Sequence, residues 1–100
     1  MNSFNGIGRL QKEPVLTKGN DGVKVCEFTL MFDDMEGKPD YCCDSIAVKV
    51  YGEKAKACDM YLRAGVLAGV TGPYRNKEGE GWQGIVADNV QILQWPERDA

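Results

Sequence analysis

One hundred residues, 43% of them hydrophobic and 27% charged, make one folded domain with a single core, and they exclude a disordered chain. The formal net charge of -3 does not announce a nucleic-acid partner, although a basic patch can coexist with acidic loops. There is no apolar run near the ~18 residues of a membrane span, and Met1-Asn2-Ser3 is not followed by a charged segment and an apolar one. A cytoplasmic protein, neither secreted nor membrane-spanning, is therefore expected.

The chain has a dominant period of two, interrupted once. Phe4 to Gln11 (FNGIGRLQ) is strand-like, with Gly6 and Gly8 marking a bend, and Glu13-Pro14 ends it. Thr17 to Gly22 (TKGNDG) is a turn, and Val23 to Phe32 (VKVCEFTLMF) then alternates. Lys24, Cys26, Phe28, Leu30 and Phe32 form its core face, and Val23, Val25, Glu27, Thr29 and Met31 the other; these first two strands are expected to form a hairpin. Asp33 to Asp40 reads as a loop. In the strand Cys43 to Tyr51, Ile46, Val48 and Val50 face the core, and Ser45, Ala47, Lys49 and Tyr51 face away. An aromatic beside a lysine on a face of small residues is a candidate working surface.

Glu53 to Ala64 changes to the helical period, with Ala57, Met60, Tyr61 and Ala64 on one face and Gly65 where a C-cap glycine belongs. Val66 to Tyr74 returns to strand, Asn76 to Gly81 is a flexible hairpin loop, and Gln83 to Gln94 is the last strand. Residues 1–95 are expected to form the domain and 96–100 a short tail. Five strands with a helix between the third and fourth is the layout of an OB-fold β-barrel, an all-β class with one short helix. Periodicity alone leaves another small α+β barrel open.

The residues also speak against catalysis. Without histidine there is no ordinary proton shuttle and no triad base. Asp33-Asp34 read as solvated loop carboxylates. Cys26, Cys42, Cys43 and Cys58 show no C-x-x-C spacing and read as reduced thiols, with no metal and no cofactor.

The stretch MNSFNGIGRLQKEP, with Gly8-Arg9-Leu10 and Glu13-Pro14, resembles the opening of bacterial single-stranded-DNA-binding proteins. The resemblance continues in order through Phe28-Thr29-Leu30, Tyr51-Gly52, Tyr61-Leu62-Arg63 with Gly65, Gly72 before Arg75, and Val86-Ala87-Asp88 with Val90 and Leu93. It implies an OB-fold, usually a homotetramer, that coats single-stranded DNA in replication, recombination and repair without marked sequence preference. There are departures from the family pattern. Ser45, and Glu78-Gly79 with Trp82 a few residues later, stand where tryptophans are common, and Glu53 and Ala64 where lysines are frequent. The family's linker and acidic tip have no counterpart within these 100 residues, so recruitment through them is not carried over.

On this reading Tyr51 is the first stacking candidate, with Trp82 and Tyr74 as further ones, since aromatic faces hold any base. Lys49, Arg75, Lys77, Arg9 and Lys54 are candidates for phosphate contacts that make binding salt-sensitive. Lys54 and Lys56 also read as a solvated helix face, and Arg9 as part of a subunit interface. Tyr61 is expected to pack the helix on the barrel, and Trp95 to cover an open barrel end or a subunit contact. The expected partners are single-stranded DNA and further copies of the chain, as tetramer or dimer, with no membrane and no small-molecule substrate. Two alternatives stay open: a primosomal-type OB-fold replication accessory, and a protein-interaction subunit with weak DNA binding.

Overall fold

The computed structural model describes residues 2–32, 44–77 and 81–95. The Asp33–Asp40 loop, Cys42, Cys43, the hairpin tip 78–80, the tail 96–100 and the side chain of Lys77 lie outside the described residues. In chain order the elements are β1 (Phe4–Leu10), β2 (Val15–Lys18), β3 (Lys24–Phe32), β4 (Asp44–Tyr51), α1 (Glu53–Tyr61), β5 (Leu67–Gly72), β6 (Tyr74–Lys77), β7 (Trp82–Val86) and β8 (Asn89–Gln94).

Strand β3 organises the sheet. One edge pairs with β4 from Val25↔Tyr51 to Phe32↔Asp44; the other takes β2 from Val15↔Glu27 to Lys18↔Lys24 and then β1 at Arg9↔Met31 and Leu10↔Leu30. The full path is β6-β7-β4-β3-β1-β5-β8, with β2 attached to β3 beside it. The path is open, and its two sides approach where β7 passes into β8: Ala87 N–H donates to Lys49 O on β4 (2.8 Å) and Asp88 N–H to Thr71 O on β5 (2.7 Å). A curled, mostly antiparallel sheet with one helix after its third long strand is consistent with the OB-fold. No helix among the described residues is long and apolar enough to cross a membrane.

The alternation of β3 and β4 works as read except at Lys24, which is only half-buried at the strand's end: Cys26, Phe28, Leu30, Val48 and Val50 are buried, joined by Leu10, Val66, Ala68, Val70 and Ile85. Each large side chain removed from water contributes ~1.5–3 kcal/mol before chain entropy is charged against it. The element boundaries need three refinements. Between the first two expected strands lies an extra short strand, β2. The fourth expected strand is split at Pro73, which has no N–H for a ladder. The fifth is split at Ala87-Asp88, where consecutive amides turn to different strands.

The helix differs more. It ends at Tyr61, because Leu62 is extended (φ -82°, ψ 143°), and the buried side is Ala55 and Cys58, continued by Leu62. The expected face of Ala57, Met60, Tyr61 and Ala64 is exposed rather than buried; Tyr61 is 55% exposed and, with Ala57, only lines a hollow beside Val90 and Ile92 of β8. Both rows have helical spacing, and the leucine that anchors the true one lies just past the helix end. Gly65 does adopt positive φ (87°), but in the turn after the helix, where its N–H donates to Leu10 O. Trp95 is half-exposed, so it does not close a barrel end within the chain.

Candidate nucleic-acid interface

The outward row of β4 is the centre of the site. Ala47, Lys49 and Tyr51 alternate with the buried Val48 and Val50, so pleat geometry puts them on one face. Register then sets Thr29 beside Ala47, Glu27 beside Lys49, and Val25 beside Tyr51. On the other side β7 runs parallel to β4, with Val48↔Ile85 on the buried row and Lys49↔Val86 on the outer one.

Trp82 starts β7 on that same outer row, two residues before Gly84. A Cβ at Gly84 would stand 2.3 Å from Ala47 O and 2.9 Å from the indole Cζ2 of Trp82. Glycine is what lets β7 lie on β4 and the indole lie back across the strand. The ring thereby reaches Lys49, whose Nζ stands 4.3 Å from its centroid, a cation–π contact. Lys49 Nζ also stands 3.8 Å from Glu27 Oε1, with the lysine side chain 13% and the glutamate 46% exposed. The aromatic-and-lysine face read from the sequence thus gains two members that β4 alone did not reveal, an indole and a carboxylate. Glu27 sits on the outward row in the sequence, but only the β3–β4 register brings it opposite Lys49.

Shallow depressions extend this centre in both directions. One is lined by Lys12, Glu13, Thr17, Glu27, Thr29 and Ala47, the other by Tyr51, Glu53, Lys54, Val86 and Asp88. With the Lys49–Trp82 centre between them they trace a channel over the outer surface of β2, β3, β4 and β7; Tyr51 lines one end, and Trp82 joins it through its contact with Lys49. Tyr51 is 37% exposed. Lys54 lies in the channel, and its ammonium donates to Asp88 O across it. Arg75 is exposed and pairs with Gly84, on the same row as Trp82, while Lys77 pairs with Trp82 itself.

Two sequence candidates lie elsewhere. Tyr74 pairs with Ile85, which places it on the opposite row from Trp82, and its hydroxyl donates to Gln83 Oε1 (3.1 Å). Arg9 lies on β1, away from β4 and β7, and spends its guanidinium within the chain, on Gly65 O (3.0 Å) and Gln94 Oε1 (2.9 Å). A residue that sequence reasoning missed altogether is Asn2. Its side-chain amide donates to Tyr74 O (2.8 Å) and accepts from Tyr74 N–H (3.0 Å), a two-bond imitation of a strand pair that fixes the base of the β6–β7 hairpin.

The model of the single-strand binding protein family matches residues 1–94. Single-stranded DNA-binding protein 1 of Staphylococcus aureus (strain MSSA476) is 35% identical over 99 residues, covering 88% of this chain and 62% of its own length. Two proteins of Clostridium acetobutylicum are similar over more of their length. Its single-stranded DNA-binding protein 2 is 33% identical over 106 residues (95% of this chain, 78% of the relative), and its single-stranded DNA-binding protein 3 is 36% identical over 107 (95% and 72%). The chain thus spans less than two thirds of the staphylococcal relative.

Proposed function

The chain belongs to the single-strand binding protein family, and from that premise we propose that residues 1–95 hold single-stranded DNA along the β2–β3–β4–β7 face, without reading base sequence and without catalysis. The observation that carries this is the Lys49 ammonium over the Trp82 ring, with Tyr51 further along the same outer row. An aromatic plane accepts any base, and a lysine beside it meets the phosphate that follows. As a base stacks on the indole it displaces the ammonium, which turns to the backbone. Tyr51 is the second stacking platform, and Arg75, Lys77 and Lys54 supply further cations. The channel also carries Glu13, Glu27, Glu53 and Asp88, which oppose the phosphates, so binding is weak for such a protein; the phosphate contacts of its lysines and arginine weaken as salt rises.

The working unit is a homo-oligomer, a tetramer, serving replication, recombination or repair in the cytoplasm. Support for assembly comes from the outer surface of β1, β5 and β8, away from the channel. There Ile7 (60% exposed) and Leu93 (48%) flank Gly69, whose missing Cβ would stand 3.8 Å from Ile7 Cγ1 and 3.7 Å from Leu93 Cδ1. Exposed apolar neighbours of this kind mark contact surfaces. Light scattering checks the assembly: a monomer at micromolar concentration overturns it.

The deciding experiment is titration of intrinsic fluorescence with oligothymidylate and with duplex DNA at low and moderate salt. Quenching by the single strand alone, weakening as salt rises, supports the reading. A folded protein that shows no quenching at either salt overturns it.

A further inference from the structure

Lys18, Lys24 and Lys56 form a group outside the channel. Lys18 and Lys24 are direct partners at the end of the β2–β3 ladder, with side chains on the same face, and Lys56 comes from the first turns of α1. α1 packs against both β3 and β2, and charge repulsion from Lys56 first, with burial and Lys18 adding to it, holds the Lys24 pKa below the usual lysine value.

Nothing in the fold calls for this arrangement. Like charges directly opposite across a ladder are destabilising, and a lysine early in a helix faces the positive end of the helix dipole. Among the described residues no carboxylate pairs with any of the three lysines. The location has a direction to it. Val25, next to Lys24, pairs with Tyr51, and Gly52 N–H donates to Lys24 O (2.9 Å). The cluster therefore begins at the rim where the channel ends beyond Tyr51.

We propose that Lys18, Lys24 and Lys56 are a second phosphate-binding station, which takes the backbone of single-stranded DNA after it passes Tyr51 and turns over the α1 end of the barrel. This rests on the reading of the channel as the primary binding face. A phosphodiester chain suits the site because it brings several closely spaced negative charges to three lysines. Its length extends the strand contacted by one subunit beyond what the channel covers.

The test compares the full chain with its K18Q/K24Q/K56Q variant, each titrated with oligothymidylates of ~6 and ~20 nucleotides, which bracket most single-OB-fold site sizes, over a range of salt. With the long strand the variant should lose about 2 units from the log–log salt slope, since each single-strand phosphate contact contributes ~0.7. Its affinity for that strand at low salt should fall tenfold or more. With the short strand both proteins should agree within twofold. The variant should also melt higher than the parent, because repulsion is removed, which separates lost binding from lost fold. Equal long-strand binding by the two proteins overturns the second station and leaves the channel reading standing. Equal losses at both lengths also overturn it, assigning the effect to overall charge. No binding of either strand by the parent overturns both readings.

Discussion

The Lys49 ammonium stands 4.3 Å from the centroid of the Trp82 ring, so two residues 33 positions apart share one surface. A base reaching the indole must displace that ammonium, which couples stacking to phosphate contact. Trp82→Ala should cost about 1–3 kcal/mol in oligothymidylate binding. Lys49→Met should lower the log–log salt slope by ~0.7. Trp95→Phe, leaving Trp82 as the sole tryptophan, should keep the quenching; its disappearance there would move the stacking site to Trp95.

Glu27 restrains the same lysine from the other side. At 3.8 Å and half-exposed, this ion pair contributes no more than ~1 kcal/mol to folding. Its carboxylate nevertheless competes with any phosphate for Lys49. Glu27→Gln should therefore tighten single-strand binding several-fold at low salt, with the gain shrinking as salt screens it, and should shift melting little. Weaker binding in a well-folded E27Q would show that the carboxylate positions Lys49 rather than competing for its ligand.

How far the sequence carried the site depended on range. The rows of β3 and β4 were legible because a buried-face strand alternates, and that alone placed Lys49 with Tyr51. Glu27 was legible as outward-facing but not as the neighbour of Lys49, because register is a property of two strands together. Trp82 was legible as a stacking candidate but not as the neighbour of Lys49, since nothing local says that Gly84 opens a path to β4. The helix misled for a different reason: Ala57, Met60, Tyr61 and Ala64 have helical spacing, while the buried row needs Leu62, which lies past the helix end.

Gly84 is where fold and site meet. A Cβ there would stand 2.3 Å from a backbone oxygen of β4, which cannot move away as a flexible side chain could. Gly84→Ala should force β7 from β4, cost about 1–3 kcal/mol as overpacking does, and separate Trp82 from Lys49. Melting and oligothymidylate affinity should fall together. A G84A protein with parental stability and affinity would show that the β4–β7 contact is looser than the geometry implies.

Asn2 tests whether the hairpin must be held. Each of its two bonds to the Tyr74 backbone is worth about 0.5–1.5 kcal/mol, with the lower end expected at an exposed site. Asn2→Ala should speed hydrogen exchange of the Tyr74 amide and loosen β6–β7 while the amides of β3 keep their protection. Unchanged exchange at Tyr74 would mean that the hairpin is held without Asn2.

The two thiols between β3 and α1 link the stability of the fold to alkaline pH. Burial pushes the Cys26 thiol up to about 12, with Cys58, Asp59 and Glu27 adding to it, and burial pushes Cys58 up to about 11. An unfolded cysteine ionises near 9, so below that pH both states hold these protons and folding keeps the full benefit. Above it the unfolded chain releases protons that the folded chain retains. Stability therefore falls from pH ~9 towards 11–12, by up to ~1.4 kcal/mol per pH unit for each thiol. The informative quantity is a difference between proteins. Cys58→Ala should reduce the slope of melting temperature against pH above 9, at the cost of a lower melting temperature at neutral pH, where packing alone is lost. Parallel curves for parent and C58A from pH 8 to 11 would mean that the thiol is not held neutral by its surroundings. Thiol labelling gives an independent reading: with Cys42 and Cys43 replaced by serine, Cys26 and Cys58 should react with a disulfide reagent at pH 8 only as fast as the domain opens.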